Sequence, residues 1–382
     1  MAAHRRDPQV PLTSDTGAAR APRSRLDPAV FRLSLEKIRS GYYTDAYFNH
    51  AKALLEAEDR HPRVLMQVFQ KHDTVLGGID EALAIVRLAS GRRGADGHWQ
   101  VGWEDLVVHA LHEGDAIAAH ESVMTIEGDY TLFAHLETVY LGCLARRTLI
   151  MRNVATAVAA ARGKPILFFP ARHDHWLVQT GDGWAAHIAG AIGVSTDAQA
   201  SWWGGRGIGT VPHALIAAYD GDTVAAAAAF ARRFADEMNV TVLVDFDNDS
   251  VGTAVAVADA LADRLWGVRL DTSEAIVDRA LEDAPEDRSQ RTGVTPQLAR
   301  RVRQALDDAG HHEVRIVVSG GFDAPRIERF EAEAAPVDAY GVGSSLVRGT
   351  NDFTADVVRV NGWPCAKVGR EERPNPRLQR VD

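Results

Sequence analysis

Hydrophobic and polar positions fall into two rhythms along the chain. From residue 164 onward, short apolar runs alternate with longer stretches whose apolar residues recur at helical spacing. The runs at 166–169, 241–245, 267–270, 315–319 and 337–341 read as strands buried on both faces. The stretches at 223–238, 250–265, 295–309 and 324–333 read as the helices between them. Such alternation predicts a parallel β/α barrel, although a doubly wound sheet has the same local pattern. Upstream the rhythm differs. A helical stretch over 27–38 precedes a strand and a helix (78–89), then an Arg/Gly turn at 91–94 with a hairpin after it. Short strands fill 106–126, and a long helical region over 132–162 has a break near Arg146-Arg147. This part predicts an α+β domain. After Gly349 a strand-like segment (357–360) leads into a basic tail.

The runs ending at Ser319-Gly320-Gly321 and Gly341-Val342-Gly343-Ser344 stand out among the strands. Glycine at the carboxyl end of a strand lets the backbone approach an anion closely, and N–H groups at the start of a following helix can hold a phosphate. One such turn is equally well a tight connection. Two in succession, one strand–helix unit apart, resemble the phosphate cradle of the last barrel strands and favour the barrel over the doubly wound sheet.

Charged residues sit at the other strand ends. Arg172 and His173 come just past the first run, Asp245 and Asp247 at the end of the second, and Arg269 and Asp271 at the end of the third. Arginine forks onto carboxylate or phosphate, while aspartate accepts ribose hydroxyls or holds Mg²⁺ through water. Each could instead form a salt bridge at the rim, but their convergence at consecutive strand ends favours a ligand. In Gly209-Thr210-Val211-Pro212-His213, proline at a helix start places His213 at a helix N-terminus. There its pKa is expected to fall, leaving a neutral, nucleophilic ring.

Composition narrows the function classes. With 382 residues the chain can hold two domains, or one barrel with an extension. A net charge of −10 argues against general affinity for a nucleic-acid backbone, so an anionic ligand needs local arginines. Two cysteines, Cys143 and Cys365, form neither a metal-ligand spacing nor a disulfide framework, which suits a reducing compartment. No run is long enough to span a membrane and the start shows no signal-peptide core, so a cytoplasmic location without membrane partners is expected. Residues 1–25, rich in Pro, Ala, Arg, Ser and Thr, read as a disordered tail.

The motifs Thr44-Asp45-Ala46-Tyr47, Glu127-Gly128-Asp129-Tyr130, Glu137-Thr138, Arg172-His173, Gly209-Thr210-Val211-Pro212-His213-Ala214, Val244-Asp245 and Arg269-Leu270-Asp271 run in order with the two glycine turns. Together they resemble the nicotinate phosphoribosyltransferases, type II enzymes related to those for nicotinamide and quinolinate, in the archaeal-type short form. The resemblance implies an incomplete type II barrel at 146–351 and an N-terminal α+β domain at 26–145 with a return segment at 352–382. It implies a homodimer, or higher oligomer, with shared active sites, and formation of nicotinate mononucleotide and pyrophosphate from nicotinate and phosphoribosyl pyrophosphate. By position, Tyr47 would stack on the pyridine ring in the neighbouring subunit's site, with Asp45 near it. Arg172, with His173, would meet the nicotinate carboxylate or the pyrophosphate, and Thr210 would contact substrate. Asp245, Arg269 and Asp271 would serve ribose, pyrophosphate and Mg²⁺, the metal being held by Asp245 and Asp271. Ser319, Gly320, Gly321, Gly341, Gly343 and Ser344 would hold the 5′-phosphate. His213 matches the histidine that ATP-using members phosphorylate, so ATP is a possible co-substrate.

The chain departs from the family in three places. Arg172-His173-Asp174-His175 stands where many members carry an Arg-Arg pair, and Val244-Asp245-Phe246-Asp247 replaces Asp-Thr-Tyr. Cys365 stands alone where archaeal-type relatives end in a cysteine-rich module, so no zinc is expected. The alternative bases are quinolinate, whose two carboxylates call for a larger basic cluster, and nicotinamide, for whose amide Asp197 would have to act as acceptor. A non-catalytic phosphometabolite-binding barrel is the alternative from another class, and the charge at the strand ends argues against it.

Overall fold

Six short runs become parallel strands: β1 (Ile166–Phe168), β2 (Gly193–Val194), β3 (Val240–Leu243), β4 (Leu265–Leu270), β5 (Arg315–Val318) and β6 (Ala339–Val342). The structure, a computed structural model, describes residues 24–382. It divides into two units, Asn153–Arg348 and the described residues up to Arg152 with Gly349–Asp382. In the first unit the strand order is β3-β4-β5-β6-β1-β2, every neighbouring pair being parallel. β3 and β6 are buried along their whole length, as parallel strands covered on both faces must be.

The sheet curls into a barrel whose wall is completed irregularly. Ile208 N donates to Val194 O at 2.7 Å, and Val211 N donates to Thr241 O at 2.8 Å. Val211 also bridges Val242 in parallel. The extended segment 208–211 thus joins β2 to β3 in place of a full strand. This stretch carries Thr210 and leads into His213, so the wall itself delivers both residues to the carboxyl ends of the strands.

The helices that close each repeat begin with side-chain caps. Asp222, Asp249, Thr295 and Asp323 accept from backbone N–H groups in the first turns of Thr223–Phe234, Ser250–Leu261, Pro296–Asp308 and Ala324–Ala332. The second and first of these end before the expected 265 and 238. Ala262 adopts φ +48°, which stops its helix, and Leu265, counted by spacing as helical, opens β4 instead. The glycine turn after β5 leads into Ala324–Ala332 as expected, whereas the turn after β6 is followed only by a 3-10 turn, Ser344–Val347.

In the second unit an antiparallel sheet of six strands has the order Trp363–Pro364, Thr354–Val360, Arg63–Phe69, Ser122–Asp129, Val107–Ala110, Gln379–Arg380. Three of these strands come from the return segment. Ile79–Ala89 packs its apolar side into a core with Val64, Met66, Val68, Met124, Ile126, Tyr140 and Leu144. Two expectations need correction here. The stretch over 27–38 is two short pieces, Pro28–Phe31 and Leu35–Arg39, because Arg32 turns left-handed at φ +46°. The expected break at Arg146-Arg147 is absent, and Glu137–Ala160 is continuous. Arg147 tolerates burial inside that helix because its Nε lies 2.9 Å from Glu81 Oε2. Of the tail expected over 1–25, residues 1–23 lie outside the described residues, and Arg25 is tied to Asp80 at 2.9 Å.

Candidate active site

The barrel brings its sequence-predicted residues together at the carboxyl ends of the strands. β4 pairs with β5 so that Leu270 stands opposite Val318, which sets Asp271 beside Ser319. Ser319 is buried, and its hydroxyl accepts from Arg269 Nε at 2.7 Å and donates to Asp271 Oδ1 at 2.7 Å. The ring closes where Arg269 Nη2 donates to Asp271 Oδ2 at 3.3 Å. Arg269 Nη1 reaches Thr210 Oγ1 at 3.3 Å, and the guanidinium lies 5.2 Å from the centroid of the Phe169 ring. A charge held from the side by hydroxyls and carboxylate and from below by an aromatic face has one orientation, which is what positioning an anionic ligand demands.

His213 opens the short helix His213–Ala218, and Pro212 supplies no side-chain cap. Its Nε2 lies 3.1 Å from Asp245 Oδ1, just past β3. The hydrogen bond to Asp245 raises the imidazole pKa above its ordinary 6.5, and the charges of Asp245 and Asp271 add to this against burial and Arg269. The expected fall at a helix N-terminus is thus overturned, because a carboxylate at bonding distance outweighs the ends of six residues of backbone dipole. A raised folded-state pKa means that this pair contributes stability fully below pH 6.5 and loses it as pH rises through the folded value. Asp245→Asn is therefore expected to move the titration of His213 to lower pH. Ring-proton NMR titration of wild type and variant checks this, and an unchanged midpoint would discard the pairing.

The glycine turns differ from one another. Gly320 and Gly321 are both left-handed, at φ +85° and +70°, so each is a position that favours glycine. A side chain on Gly321 would collide with the Glu274 carboxylate. Arg326, in the first turn of the following helix, donates through Nη1 to Gly320 O at 2.8 Å and through Nη2 to Val294 O at 2.7 Å. Gly343 ends β6 against the His173 ring, to which an added Cβ would come within 3.0 Å. Arg172 and Arg348 lower the His173 pKa further after burial, and Arg348 Nη2 donates to Ser344 Oγ at 3.2 Å. Arg172 and Arg348 thus set positive charge near His173 and the second turn. Gly341 lies inside β6, where the missing side chain makes room for the Phe169 ring.

Asp45 and Tyr47 belong to the other unit. Asp45 precedes the helix Ala46–Ala57 and accepts from Thr138 Oγ1 at 2.9 Å, and Tyr47 is 62% exposed on that helix. Reading the sequence missed Arg326, Arg348 and Glu274. Arg326 carried one usable signal, an arginine one position after a helix-opening proline that follows a glycine turn. A metal ion would take Asp245 and Asp271 as its donors. Mg²⁺ takes one or two carboxylates and completes its shell with water and substrate phosphate, so this pair fits it. Among the described residues no group of three or more His, Cys, Asp or Glu could hold a metal ion, and no helix is long and apolar enough to cross a membrane.

The quinolinate phosphoribosyl transferase N-terminal domain family model matches residues 45–148. The chain is 33% identical over 264 residues to the nicotinate phosphoribosyltransferase pncB1 of Mycobacterium tuberculosis, covering 67% of this chain and 54% of that protein. A nicotinate phosphoribosyltransferase of Bacillus subtilis is 24% identical over 242 residues, covering 63% of this chain and 45% of that protein. The chain thus spans about half the length of the curated relatives it matches. Among solved structures, nicotinate-nucleotide pyrophosphorylase from Pyrococcus furiosus is 31% identical at a TM-score of 0.75, over 91% of this chain and 85% of that one. Human nicotinic acid phosphoribosyltransferase shares the fold at 16% identity and a TM-score of 0.63, over 85% of this chain and 76% of that one.

Proposed function

This chain belongs to the type II phosphoribosyltransferase family, and we propose that it joins nicotinate to phosphoribosyl pyrophosphate as a step of NAD biosynthesis. The observation that carries the reading is the closed network of Arg269, Ser319 and Asp271, set beside the left-handed glycine turn and the His213–Asp245 pair. The pyridine nitrogen attacks C1 of the ribose as the C1–O bond breaks, and the bond's electrons leave with pyrophosphate. Positive charge develops on the ribose, so the site needs carboxylates there and cations at the leaving group. Asp245 and Asp271 answer the first need. Arg269, oriented by Thr210, Ser319 and Asp271, answers the second. When bound to Asp245 and Asp271, Mg²⁺ would neutralise the pyrophosphate oxygens. Gly320, Gly321, Gly343 and Ser344 would take the 5′-phosphate, with the N–H groups of the two turns as donors.

Nicotinate is favoured over the other bases by the names of the curated relatives and by the modest positive charge near His173. A single pyridine carboxylate asks for about one arginine fork, which the exposed Arg172 would supply. Tyr47 of a second copy would cover the base, which makes the assembly a homodimer or a higher oligomer with shared sites. ATP is a co-substrate in this reading, through His213, and a cytoplasmic location follows from the pathway. Assaying purified protein with nicotinate, nicotinamide and quinolinate, with and without ATP, tests it. Turnover is expected with nicotinate, and turnover confined to another base, or none despite tight binding of phosphoribosyl pyrophosphate, would overturn it.

A further inference from the structure

Glu274 lies three residues beyond Asp271, at the start of the long connection from β4 to the helix Pro296–Asp308. Its carboxylate stands against the open face of Gly321, where a side-chain carbon on the glycine would collide with it. Glu274 Oε1 also accepts from Arg326 Nη1 at 3.2 Å, the nitrogen that holds Gly320 O. The open face of Gly321 and the guanidinium nearest the turn thus both already face an anion of the protein's own.

The backbone that carries Glu274 is anchored. Asp278, fully buried, accepts from Ser250 N at 3.2 Å, Ser250 Oγ at 2.6 Å and Ala280 N at 2.9 Å. Gly293 N donates to Ile276 O at 2.8 Å. The Glu274 side chain itself is 69% exposed, so it can rotate into water without moving the connection. Arg326 would stay in place when it does, since Gly320 O and Val294 O still hold the guanidinium.

We propose that Glu274 is an internal anion that occupies the first glycine turn in the empty protein, is displaced by the 5′-phosphate of the substrate, and so sets which anions the turn accepts. The inference rests on the reading of that turn as a phosphate site. With Glu274 in place the turn and Arg326 together carry no net charge. With it displaced they carry one positive charge. A free anion such as inorganic phosphate has only the turn to gain against this competition. A phosphoribosyl ligand reaches Arg269, Asp271 and Asp245 as well, so the same competition costs it a smaller share of its binding. Glu274 thereby discriminates against small anions in favour of the ligand that spans the whole mouth.

Calorimetric titration of inorganic phosphate and of phosphoribosyl pyrophosphate into wild type, Glu274→Gln and Glu274→Asp tests this. Glutamine removes the charge, and aspartate, a methylene shorter, withdraws it from Gly321. Both variants are expected to bind inorganic phosphate about two- to five-fold more tightly, the worth of one exposed charge pair, and to narrow the preference for phosphoribosyl pyrophosphate. Unchanged or weaker phosphate binding in both variants, with phosphate still competing against phosphoribosyl pyrophosphate, would overturn the role of Glu274 alone. Absence of that competition in wild type and variants alike would overturn the phosphate reading of the turn and this inference with it.

Discussion

Arg269→Ala is expected to lower kcat/KM by about 10²–10³-fold, the usual cost of removing a donor placed where charge develops. The loss should fall mainly on kcat, because the guanidinium is held for the leaving pyrophosphate and not for binding alone. Removing it also leaves Ser319 and Asp271 without the donor that balances them. Asp271 would then stand as an uncompensated carboxylate beside the glycine turn, to which an added Cβ on Gly320 would come within 3.2 Å. That repulsion should raise KM for phosphoribosyl pyrophosphate as well. Arg269→Lys separates the two contributions, since it restores the charge without the fork. It is expected to recover binding more than turnover. Wild-type kcat/KM in a folded Arg269→Ala protein would remove this residue from the reaction. The variant also reports on the assembly. Mixed with Tyr47→Ala protein under conditions of subunit exchange, it should regain activity if sites are shared, and no recovery would place Tyr47 in its own subunit's site.

How much of this was legible in the sequence depends on the range over which each feature is determined. β1 and β3 to β6 were legible because strands covered on both faces are mostly apolar, as β3 and β6 are buried along their whole length, and three or four apolar residues in a row are hard to mistake. Arg269, Asp271 and Ser319 were legible as strand-end residues, and the structure joins them in one ring of hydrogen bonds. β2 was not legible. It is two residues long, and the wall segment 208–211 beside it is held by bonds to Val194 and Thr241 and not by any pattern of its own. Helix ends slipped for the same reason, as at Leu265, whose side chain fits either element. Pairings distant along the chain were invisible. Glu274 meets Arg326 across 52 residues, and His213 meets Asp245 across 32. The second of these reversed the direction of a pKa that local reasoning had taken from the helix end alone.

That reversal bears directly on phosphoryl transfer. Incubated with ATP labelled on the γ-phosphate, the protein is expected to acquire acid-labile label on His213, and His213→Ala to acquire none. In this reading Asp245 accepts a hydrogen bond from Nε2–H, which leaves the Nδ1 lone pair to attack the γ-phosphorus as the bond to ADP breaks. The same pairing raises the pKa of the ring, so near neutrality part of the population is imidazolium and cannot attack. Label formation should therefore climb as pH rises through the folded pKa of His213 and level off above it. Asp245→Asn pulls this both ways. It lowers the pKa, which frees more neutral ring at pH 7, but it removes the carboxylate that stabilises the cationic ring as phosphorus is attacked. The second effect should win, slowing label formation about a hundredfold, because a charge placed where the cationic ring develops is worth more than the change in neutral fraction. Faster labelling in Asp245→Asn would mean that Asp245 only restrains the ring. No label in wild type at any pH, with no effect of ATP on rate or yield, would leave His213 as a residue that orients ribose or pyrophosphate through Asp245.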